Sequence, residues 1–383
     1  MAIVSGVRST NSPGSGVRKY DHSDKLWMVD AGEAVLAFLA RQLKKKETVD
    51  PEFRWFEKSS PARFTQVNDG AGYLIGATTI TVDDGTIFRP GHIIQNVVTG
   101  EQMLVASATS TTVTVTGGRG YGTTAAAAGS DNQVLVILGN ASAEGSTSPT
   151  ALTSQASLKS NYIQTLRESF YVTGTEDATE LYTGNDMTQL RMEHARLHKL
   201  DIERTSFFGE KKEDLTGSTP RRTTQGVNKF ITTNRTDAGG ALTEVEFETF
   251  IRNAFAKGGN KKLGFFSPLI ASAVNAWAGA KLQMFPKDKT YGIAISNYLS
   301  IHGEISFVLE RMFAENSTWA GMGFLLDLDK IVYRHMKGRD MRLLKNRQAN
   351  DEDAVKEEYM TDMGIELADE ACHSVLYGVT SYS

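Results

Sequence analysis

Residues 78–118 read TTITVDDGTIFRPGHIIQNVVTGEQMLVASATSTTVTVTGG, a series of short β-branched runs separated by glycines. Alternating apolar side chains broken by turn residues are typical of β-strands. Together with the run that ends at Leu138, the pattern predicts strands at Thr78–Val82, His92–Asn96, Gln102–Ser107, Thr111–Thr116 and Gln133–Leu138. We therefore expect residues 71–138 to form a small β-sandwich or barrel.

The alternation also predicts which side chains fill the interior of this β-domain. Every second side chain of a strand points to the same face, so the apolar positions line one core. The expected core residues are Ile80, Val82, Ile94, Val105, Val113, Val115, Leu135 and Ile137. A small closed module with its two ends close together can be inserted into a surface loop.

Composition narrows the class of protein. The chain has 383 residues, and 40% of them are hydrophobic, which indicates a folded protein. The net charge of about −4 indicates no strong electrostatic attraction of the whole protein to nucleic acid. No apolar run reaches the roughly 18 residues of a membrane span, and the first residues carry no apolar signal region. The single cysteine, Cys372, excludes an intrachain disulfide. We expect no membrane partner and a reducing cytoplasm as the place of synthesis.

The segments before the β-domain differ in character. Residues 1–29 are rich in Ser, Gly, Thr and charge, which predicts an arm without a core of its own. Asp30 is a plausible N-cap, and Val35, Leu36, Leu39 and Leu43 follow at helical spacing, so a helix is predicted over 30–50. Residues 51–70 are aromatic and extended, with Pro61 opposing a helix.

A long, highly charged helix is predicted from about Glu180 to Glu210. The apolar stripe is thin, and we expect Leu190, Leu197 and Leu200 to pack on a sheet. The face expected to meet solvent or a neighbouring subunit carries Arg191, Arg196, Lys199 and Glu203. Asp201 and Arg204 have the i,i+3 spacing of a salt bridge.

The last third alternates helices and apolar strands. Thr243 and Glu246 have the spacing of a capping box, and Gly258 is placed to end that helix. A buried strand then precedes a helix opened by Ser267–Pro268. Further apolar runs between Ile305 and Thr380 predict the strands of a mixed or antiparallel sheet.

Three motifs could carry chemistry, but each is better explained by structure. His194 and His198 stand one helical turn apart, yet Ala195 occupies the place of a metalloprotease glutamate and no third ligand is evident, which favours a polar helix face over a metal site. The GGRGYG segment, residues 117–122, lacks the spacing of a phosphate loop and predicts a hairpin turn. Cys372 and His373 are adjacent residues that would point to opposite faces of a strand, so we expect a buried or half-buried thiol. No catalytic, cofactor-binding or metal-binding residues are predicted.

Charged residues of opposite sign are segregated between positions 334 and 358. The basic residues are Arg334, Lys337, Arg339, Arg342, Lys345 and Arg347. The acidic residues are Asp351, Glu352, Asp353, Glu357 and Glu358. Adjacent basic and acidic blocks suit contacts between copies of one chain in a ring. A salt-bridged surface hairpin, in which each pair contributes little, explains the pattern equally well.

The order of these parts resembles the major capsid proteins of tailed bacteriophages with the Hong Kong 97-type fold. Four stretches resemble one capsid subfamily: FFGEKKEDLTGSTPRRTTQGVNKFITTN after the long helix, KKLGFFSPLIASAVNAW, DKIVYRHMKGRDMRLLKN and GIELADEACHSVLYGV. The amino-acid sequence resembles these proteins over residues 160–380. The first third of the chain resembles them in its architecture. One departure is ADEACHSVLYG, where an Asn-Pro turn is expected before the last strand.

The resemblance implies an α+β capsid fold divided into named parts. They are an N-terminal arm (1–29), an N-terminal helix (30–50), an extended E-loop (51–70 and 139–170), a β-domain inserted in that loop (71–138), a P-domain (171–240) with a spine helix at about 180–210, an A-domain (241–330), and returning A/P-domain sheet strands (331–383).

The resemblance also implies a function, which is structural rather than enzymatic. Hexamers and pentamers of the chain would form an icosahedral head shell around double-stranded DNA, which the inner face would contact weakly and without sequence specificity. A separate scaffolding protein, a portal and a decoration protein are the implied partners. The implied location is the virion, after assembly in the host bacterial cytoplasm. Two alternatives are a carbohydrate- or cell-surface-binding protein that uses the β-domain, with Tyr73 and Tyr121 as platforms, and a metalloenzyme that uses His194 and His198.

Overall fold

The computed structural model describes residues 43–117, 119–122, 124–149, 151–179, 186–277 and 296–382. The predicted N-terminal arm, most of the helix predicted over 30–50 and the start of the long helix lie outside these residues. The chain divides into two compact units, Phe56–Leu158 and the residues that flank this segment.

Strands make up most of the regular structure. They are β1 (Lys44–Thr48), β2 (Glu52–Glu57), β3 (Phe64–Gln66), β4 (Thr79–Thr81), β5 (His92–Asn96), β6 (Gln102–Ala108), β7 (Thr112–Val115), β8 (Val134–Asn140), β9 (Ser157–Tyr162), β10 (Gln164–Thr173), β11 (Lys212–Asp214), β12 (Arg221–Thr223), β13 (Arg235–Leu242), β14 (Lys261–Phe266), β15 (Ser296–Ser300), β16 (Gly303–Leu309), β17 (Gly323–Leu326), β18 (Ile331–Met336), β19 (Arg342–Leu344), β20 (Ala354–Leu367) and β21 (Ser374–Tyr382). The α-helices are α1 (Gly174–Asp177), α2 (Asp186–Phe208), α3 (Val227–Phe230), α4 (Glu244–Phe255), α5 (Pro268–Trp277) and α6 (Ser317–Ala320). Short 3-10 helices cover Arg311–Glu315, Leu328–Lys330 and Glu370–Cys372.

The Phe56–Leu158 unit contains a six-stranded antiparallel sheet in the order β3-β8-β5-β6-β7-β4. A bridge between Val67 and Val82 joins the two end strands. Backbone hydrogen bonds flank this bridge, with Asn68 N donating to Thr81 O and Asp83 N donating to Gln66 O, both at 3.0 Å. The sheet is therefore a closed barrel, which leaves no unpaired edge strand.

The barrel interior matches the core expected from the alternation. All eight predicted core residues are buried in one cluster, together with Tyr73, Ile87, Phe88 and Met103. The five predicted strands agree with β4 to β8 to within two residues at each end. The strand β3 was not predicted: it lies in the extended segment 51–70 and pairs with β8 from Phe64↔Val136 to Gln66↔Val134.

A buried ion pair fastens the loops at one end of the barrel. The Arg119 guanidinium pairs with Glu101, with 3.0 Å between Nε and Oε1, and both side chains are closed to solvent. The same guanidinium donates to the carbonyl oxygens of Leu74 and Ala127 and lies over the Tyr73 ring. The GGRGYG segment, predicted as a simple hairpin turn, thus supplies the side chain that joins three loops.

The strands β2 and β9 form a two-stranded sheet by themselves. Phe53 and Trp55 are buried with Ile163, whereas Arg54 and Phe56 between and after them are exposed. This alternation gives the segment one covered face and one open face.

The other unit contains two larger sheets. One is five-stranded, ordered β1-β18-β20-β10 with β19 also paired to β20, and the other is six-stranded, ordered β13-β21-β17-β14-β16-β15. The helices α4 and α5 bury Phe250, Ile251 and Ile270 in a cluster with Phe266 and Leu376 of the six-stranded sheet.

The predicted helix over 30–50 is wrong at its end, because Lys44–Thr48 is the strand β1. It pairs in parallel with β18, from Lys44↔Val332 to Thr48↔Met336. Lysines suit this place, since Lys44, Lys45 and Lys46 are exposed and charged side chains are favoured on an edge strand. Local helical spacing was outweighed by pairing with a strand almost 290 residues away in sequence, as the contact of Lys44 with Asp329 shows.

The long helix α2 is present, but the predicted helical phase is wrong. Leu197 is 42% exposed, whereas Glu203, expected to face outward, is fully buried. The buried residues are Met187, His198, Ile202, Glu203, Ser206 and Phe207. The helix spans about 35 Å. Leu190 packs against β10 as predicted, beside Met187, Phe170 and Val172. The rest of the contact with β10 and β20 uses polar groups such as His194 and His198, so hydrophobic spacing alone could not reveal which face is covered. The predicted pair between Asp201 and Arg204 is present at 3.6 Å.

Helix ends in the last third follow the sequence signals. The capping box of Thr243 and Glu246 is confirmed, and Gly258, with φ +87°, follows the end of α4. The buried Lys262 ammonium donates to the carbonyl oxygens of Ala254 at 2.6 Å, Lys257 at 3.0 Å and Cys372. Lys262 thus joins the end of α4 to the turn before β21. That turn uses Asp369 in the left-handed region and the 3-10 helix Glu370–Cys372 instead of an Asn-Pro pair.

Candidate inter-subunit surface

The eleven charged residues between 334 and 358 divide into two groups. Four of them form ion pairs within the chain: Arg334 with Glu366, Arg339 with Asp362, Glu357 with Arg191 and Glu358 with Arg167. The other seven are exposed: Lys337, Arg342, Lys345, Arg347, Asp351, Glu352 and Asp353. These seven are exposed enough to contact a neighbouring molecule.

The four ion pairs all involve β20, because the carboxylate of each pair lies on that strand. Arg191 of α2 reaches Glu357 through two contacts of 2.6 and 2.7 Å, and the Glu357 carboxylate is buried. Arg167 binds Glu358 at 2.5 and 2.6 Å and holds the pKa of that carboxyl below its ordinary value. Charge-assisted pairs of this bidentate form are the strong class of hydrogen bond. These four residues thus form ion pairs, but with partners outside the charge run and not within a surface hairpin as the salt-bridged interpretation expected.

The exposed seven lie on the connection between β18 and β20. The basic members precede a bend, the acidic members follow it, and Arg347 N donates to Lys356 O at 2.9 Å beyond the acidic block. Arg342 donates to Gly338 O at 3.3 Å, and Glu352 accepts from Ala349 N at 3.2 Å. Within the described residues none of the seven forms a salt bridge. The two blocks therefore offer opposite charges on neighbouring stretches of one surface hairpin.

The two histidines of α2 contact side chains of the adjacent strands β10 and β20. His194 Nδ1 lies 2.9 Å from Glu168 Oε1 and its ring stacks on Phe170, while His198 Nε2 lies 2.7 Å from Thr361 Oγ1. Burial lowers the pKa of His198, which favours the neutral ring. Among the described residues no three His, Cys, Asp or Glu side chains form a group able to hold a metal.

Cys372 and His373 do not form a nucleophile and base. Cys372 is buried in a 3-10 turn, not in the strand that was predicted, and its thiol donates to Asp369 Oδ2 at 2.9 Å. Burial raises the pKa of the thiol to about 11, so it stays protonated at neutral pH. His373 Nδ1 accepts from Asp327 N at 3.2 Å, and burial lowers the pKa of His373 to about 4.

The β-barrel offers little to a sugar ligand. Tyr73, one of the two expected platforms, is 5% exposed, and its hydroxyl accepts from Asn96 Nδ2 at 2.7 Å inside the barrel. Tyr121 is 40% exposed. Only one of the two expected platforms is therefore exposed, and a single platform lacks the convergent polar groups that fix a small ligand.

Exposed apolar side chains are the surface feature that the sequence reasoning missed. On the barrel they include Phe64, Leu74, Ile75, Val97, Val98 and Leu138, each at least 50% exposed. The available signal was the pairs Leu74–Ile75 and Val97–Val98, since adjacent apolar residues are unusual in a turn. No helix in the described ranges is long and apolar enough to cross a membrane.

Comparison with known proteins identifies the family of this chain. The family model of the SU10 major capsid protein matches residues 8–380. The major capsid protein of Pseudomonas phage PaMx41 is 23% identical over 281 residues, which cover 70% of this chain and 67% of that protein.

Solved structures share the fold. The capsid of a native GTA particle aligns with a TM-score of 0.51 at 10% identity, over 98% of this chain and all of that one. Gordonia phage Cozz gives a TM-score of 0.51 at 10% identity, over 98% and 96% of the two chains. The architecture is the Hong Kong 97-type capsid fold. The chain belongs to the SU10 major capsid protein family, and it is a structural protein of a phage capsid shell rather than an enzyme.

Proposed function

We propose that copies of this chain assemble into hexamers and pentamers, which tile an icosahedral head shell enclosing double-stranded phage DNA. The proposal is supported above all by the exposed charged hairpin between β18 and β20. Its basic block, Lys337 to Arg347, and its acidic block, Asp351 to Asp353, are free to face different copies. In a ring, each copy can present its basic block to the acidic block of the next.

Repetition makes such a contact effective. An exposed ion pair contributes only about 0–1 kcal/mol and is weakened by salt. Each copy in a closed ring takes part in two identical contacts, so many weak pairs act together. Assembly is accordingly expected to be sensitive to ionic strength.

The parts of the fold have proposed roles in the shell. The paired strands β2 and β9 would belong to the extended E-loop, and the barrel would be a domain inserted in that loop. Residues 171–240 would form the P-domain around α2, residues 241–330 the A-domain, and residues 331–383 the returning strands. The exposed Phe56 and Leu158 on β2 and β9, 75% and 50% exposed, suit an arm that lies over a neighbouring subunit.

Other partners follow from the same proposal. A separate scaffolding protein, a portal and a decoration protein would complete the particle, and assembly would occur in the host bacterial cytoplasm. Contact with DNA on the inner face would be weak and independent of sequence, because the chain carries a net charge of about −4. The carbohydrate-binding alternative has little support, since Tyr73 is buried.

Charge reversal tests the ring contact. In the first variant, Arg342, Lys345 and Arg347 are each replaced by glutamate, and in the second, Asp351 and Glu352 are replaced by lysine. We expect neither variant alone to form shells under the electron microscope, because like charges would meet at the ring contact. A chain that combines both sets restores opposite charges and is expected to form shells.

The exposed Lys257→Glu substitution is the matched control, and it should leave shells unchanged. Normal shells from the Arg342, Lys345 and Arg347 variant would remove the hairpin from the contact. Purified wild-type chain that yields only monomers, alone and with its phage's other head proteins, would contradict the proposed assembly.

A further inference from the structure

The closed barrel restricts how it can bind another protein. Strand addition needs a free sheet edge, and the Val67–Val82 bridge removes that edge. Contacts must therefore use side chains on the outside of the barrel. These side chains are unevenly distributed: β4 and β7 present Thr79, Thr81, Thr112 and Thr114, whereas the opposite side is apolar.

The apolar side is a strip that crosses four neighbouring strands. Its members are Phe64 on β3, Val136 and Leu138 on β8, Ile93 on β5 and Leu104 on β6. Phe64 is opposite Val136, and Ile93 is opposite Leu104. Phe64 is 61% and Leu138 50% exposed, and the other three are partly exposed. An antiparallel sheet with a solvated face usually carries polar side chains there, so this strip is unusual for a surface that stays wet.

A second apolar surface, the tip, lies on the loops at the end of the barrel where β5 ends at Asn96. It consists of Leu74, Ile75, Val97 and Val98, which are 78%, 60%, 59% and 69% exposed. The hydrogen bond between Asn96 Nδ2 and the Tyr73 hydroxyl ties the two dipeptides together. Asn96 Oδ1 also accepts from Val98 N at 2.9 Å, and Arg119 donates to Leu74 O at 2.5 Å. The exposed apolar groups are therefore held on a braced loop pair.

The tip and one end of the strip carry charges of opposite sign. Arg63, Arg89 and His92 lie beside the strip near Leu138 and Ile93, whereas Asp83 and Asp84 border it at β3, where Asp83 N donates to Gln66 O and Asp84 N donates to Thr65 Oγ1. Burial lowers the pKa of His92, and the two arginines lower it further. Asp69 and Asp131 lie beside the tip, where Asp131 Oδ1 accepts from Asp69 N at 2.9 Å and Tyr73 N donates to Gly129 O at 2.8 Å. The strand β5 runs from the basic end at His92 to the tip at Asn96, about 13 Å away.

We infer that the tip of one barrel binds the strip of the barrel in a neighbouring copy of this chain. Apolar side chains meet apolar side chains in this arrangement, and the acidic margin of the tip meets Arg63 and Arg89 at the basic end of the strip. The contact is heterologous, so each copy uses its tip and its strip at the same time. This inference rests on the proposed assembly of the chain with its own copies, and it adds a contact separate from the charged hairpin.

Cysteine crosslinking of full-length protein tests the pairing of surfaces. Val98→Cys places a thiol on the tip, and Leu138→Cys places one on the strip. The native Cys372 is buried, so its background reaction is small. Equal amounts of the two single variants are mixed under assembly conditions and treated with a short bis-maleimide. We expect covalent dimers in the mixture and only background in each variant alone.

Thr79→Cys, on the threonine side of the barrel, replaces Leu138→Cys in the matched control and should give no dimers with Val98→Cys. Dimers from Val98→Cys alone would show that two tips meet, and this would overturn the inference. An absence of dimers in the mixture would overturn it as well. Electron microscopy of the same samples tests the proposed function separately: shells without dimers contradict only the barrel contact, and dimers without shells contradict only the proposed shell assembly.

Discussion

The carboxyl groups of Glu203 and Glu310 are hydrogen-bonded to each other and fully buried, where α2 meets the end of β16. Glu310 Oε1 also accepts from Met312 N at 3.2 Å, and Arg204 beside Glu203 pairs with Glu315 at 2.6 Å. Two carboxylates cannot both be charged at such a site without a large cost. Burial raises the pKa of Glu310 to about 7, so the pair holds one proton at mildly acidic pH.

The first prediction is a loss of stability between about pH 4.5 and pH 7. The folded pKa of Glu310 lies above its unfolded value, so the folded state binds the proton more tightly and stability falls as pH rises through this window. The expected contribution is on the order of 3 kcal/mol. Glu310→Gln keeps the hydrogen bonds without the titration. Urea unfolding at pH 5 and pH 8 should therefore show a smaller difference for Glu310→Gln than for wild type.

Glu248→Gln is the control for that experiment, because Glu248 is exposed on α4 and is not among the groups that shift the pKa of Glu310. Its pH dependence should follow the wild type. If Glu310→Gln loses stability between pH 5 and pH 8 to the same extent as wild type, the shared proton has no energetic role.

The second prediction concerns the face of α2 that is covered. His198 is 1% exposed, bonds to Thr361 and stacks near Tyr359. His198→Ala should lower the free energy of unfolding by about 2–4 kcal/mol, because it leaves a cavity and an unpaired hydroxyl. Leu197→Ala, its neighbour in sequence, should cost less than about 1 kcal/mol. A thermal or urea unfolding series that ranks Leu197 above His198 would restore the helical phase expected from the leucines.

The third prediction concerns the buried pair inside the barrel. Arg119→Met should destabilise the barrel by about 3–5 kcal/mol, because it leaves the Glu101 carboxylate buried without its cation. Adding Glu101→Gln should recover part of the loss. Hydrogen exchange of amides in β5 and β6 reports on the barrel directly. Lys58→Met, at an exposed lysine of the same unit, should leave exchange unchanged, and an equal effect of both single variants would contradict this account.

The fourth prediction is that the barrel can be removed cleanly only if β3 is removed with it. Ser154 Oγ donates to Ser59 O at 2.8 Å, so the two ends of the intervening chain are adjacent. Replacing Ser60–Thr153 with a short Gly-Ser link should leave a soluble subunit that unfolds cooperatively, since the barrel core consists of barrel residues.

Replacing only residues 78–138 is the comparison for that deletion. It leaves Phe64–Gln66 without its partner β8, and we expect a subunit that aggregates. Circular dichroism and light scattering distinguish the two products. A larger deletion that fails to fold would show that the remaining residues depend on the barrel.

The sequence by itself determined the local elements and the barrel core. The alternation in residues 78–138 identified eight of the thirteen buried side chains of the barrel core, because a strand has a period of two and its turns are marked by glycine. The capping box at Thr243 was equally local, since both of its hydrogen bonds lie within three residues. The resemblance of residues 160–380 to capsid proteins identified the fold.

Only the tertiary structure decided which polar residues are covered and where strands pair at long range. His198, Glu203 and Glu357 are buried because side chains on distant elements form hydrogen bonds or ion pairs with them. The spacing of hydrophobic residues cannot predict such partners. Lys44–Thr48 became a strand because β18 offered an open edge, which no local window contains. Likewise, the division of the charge run into four internal pairs and seven exposed residues depends on Arg167, Arg191, Asp362 and Glu366, whose positions are fixed only when the sheets form.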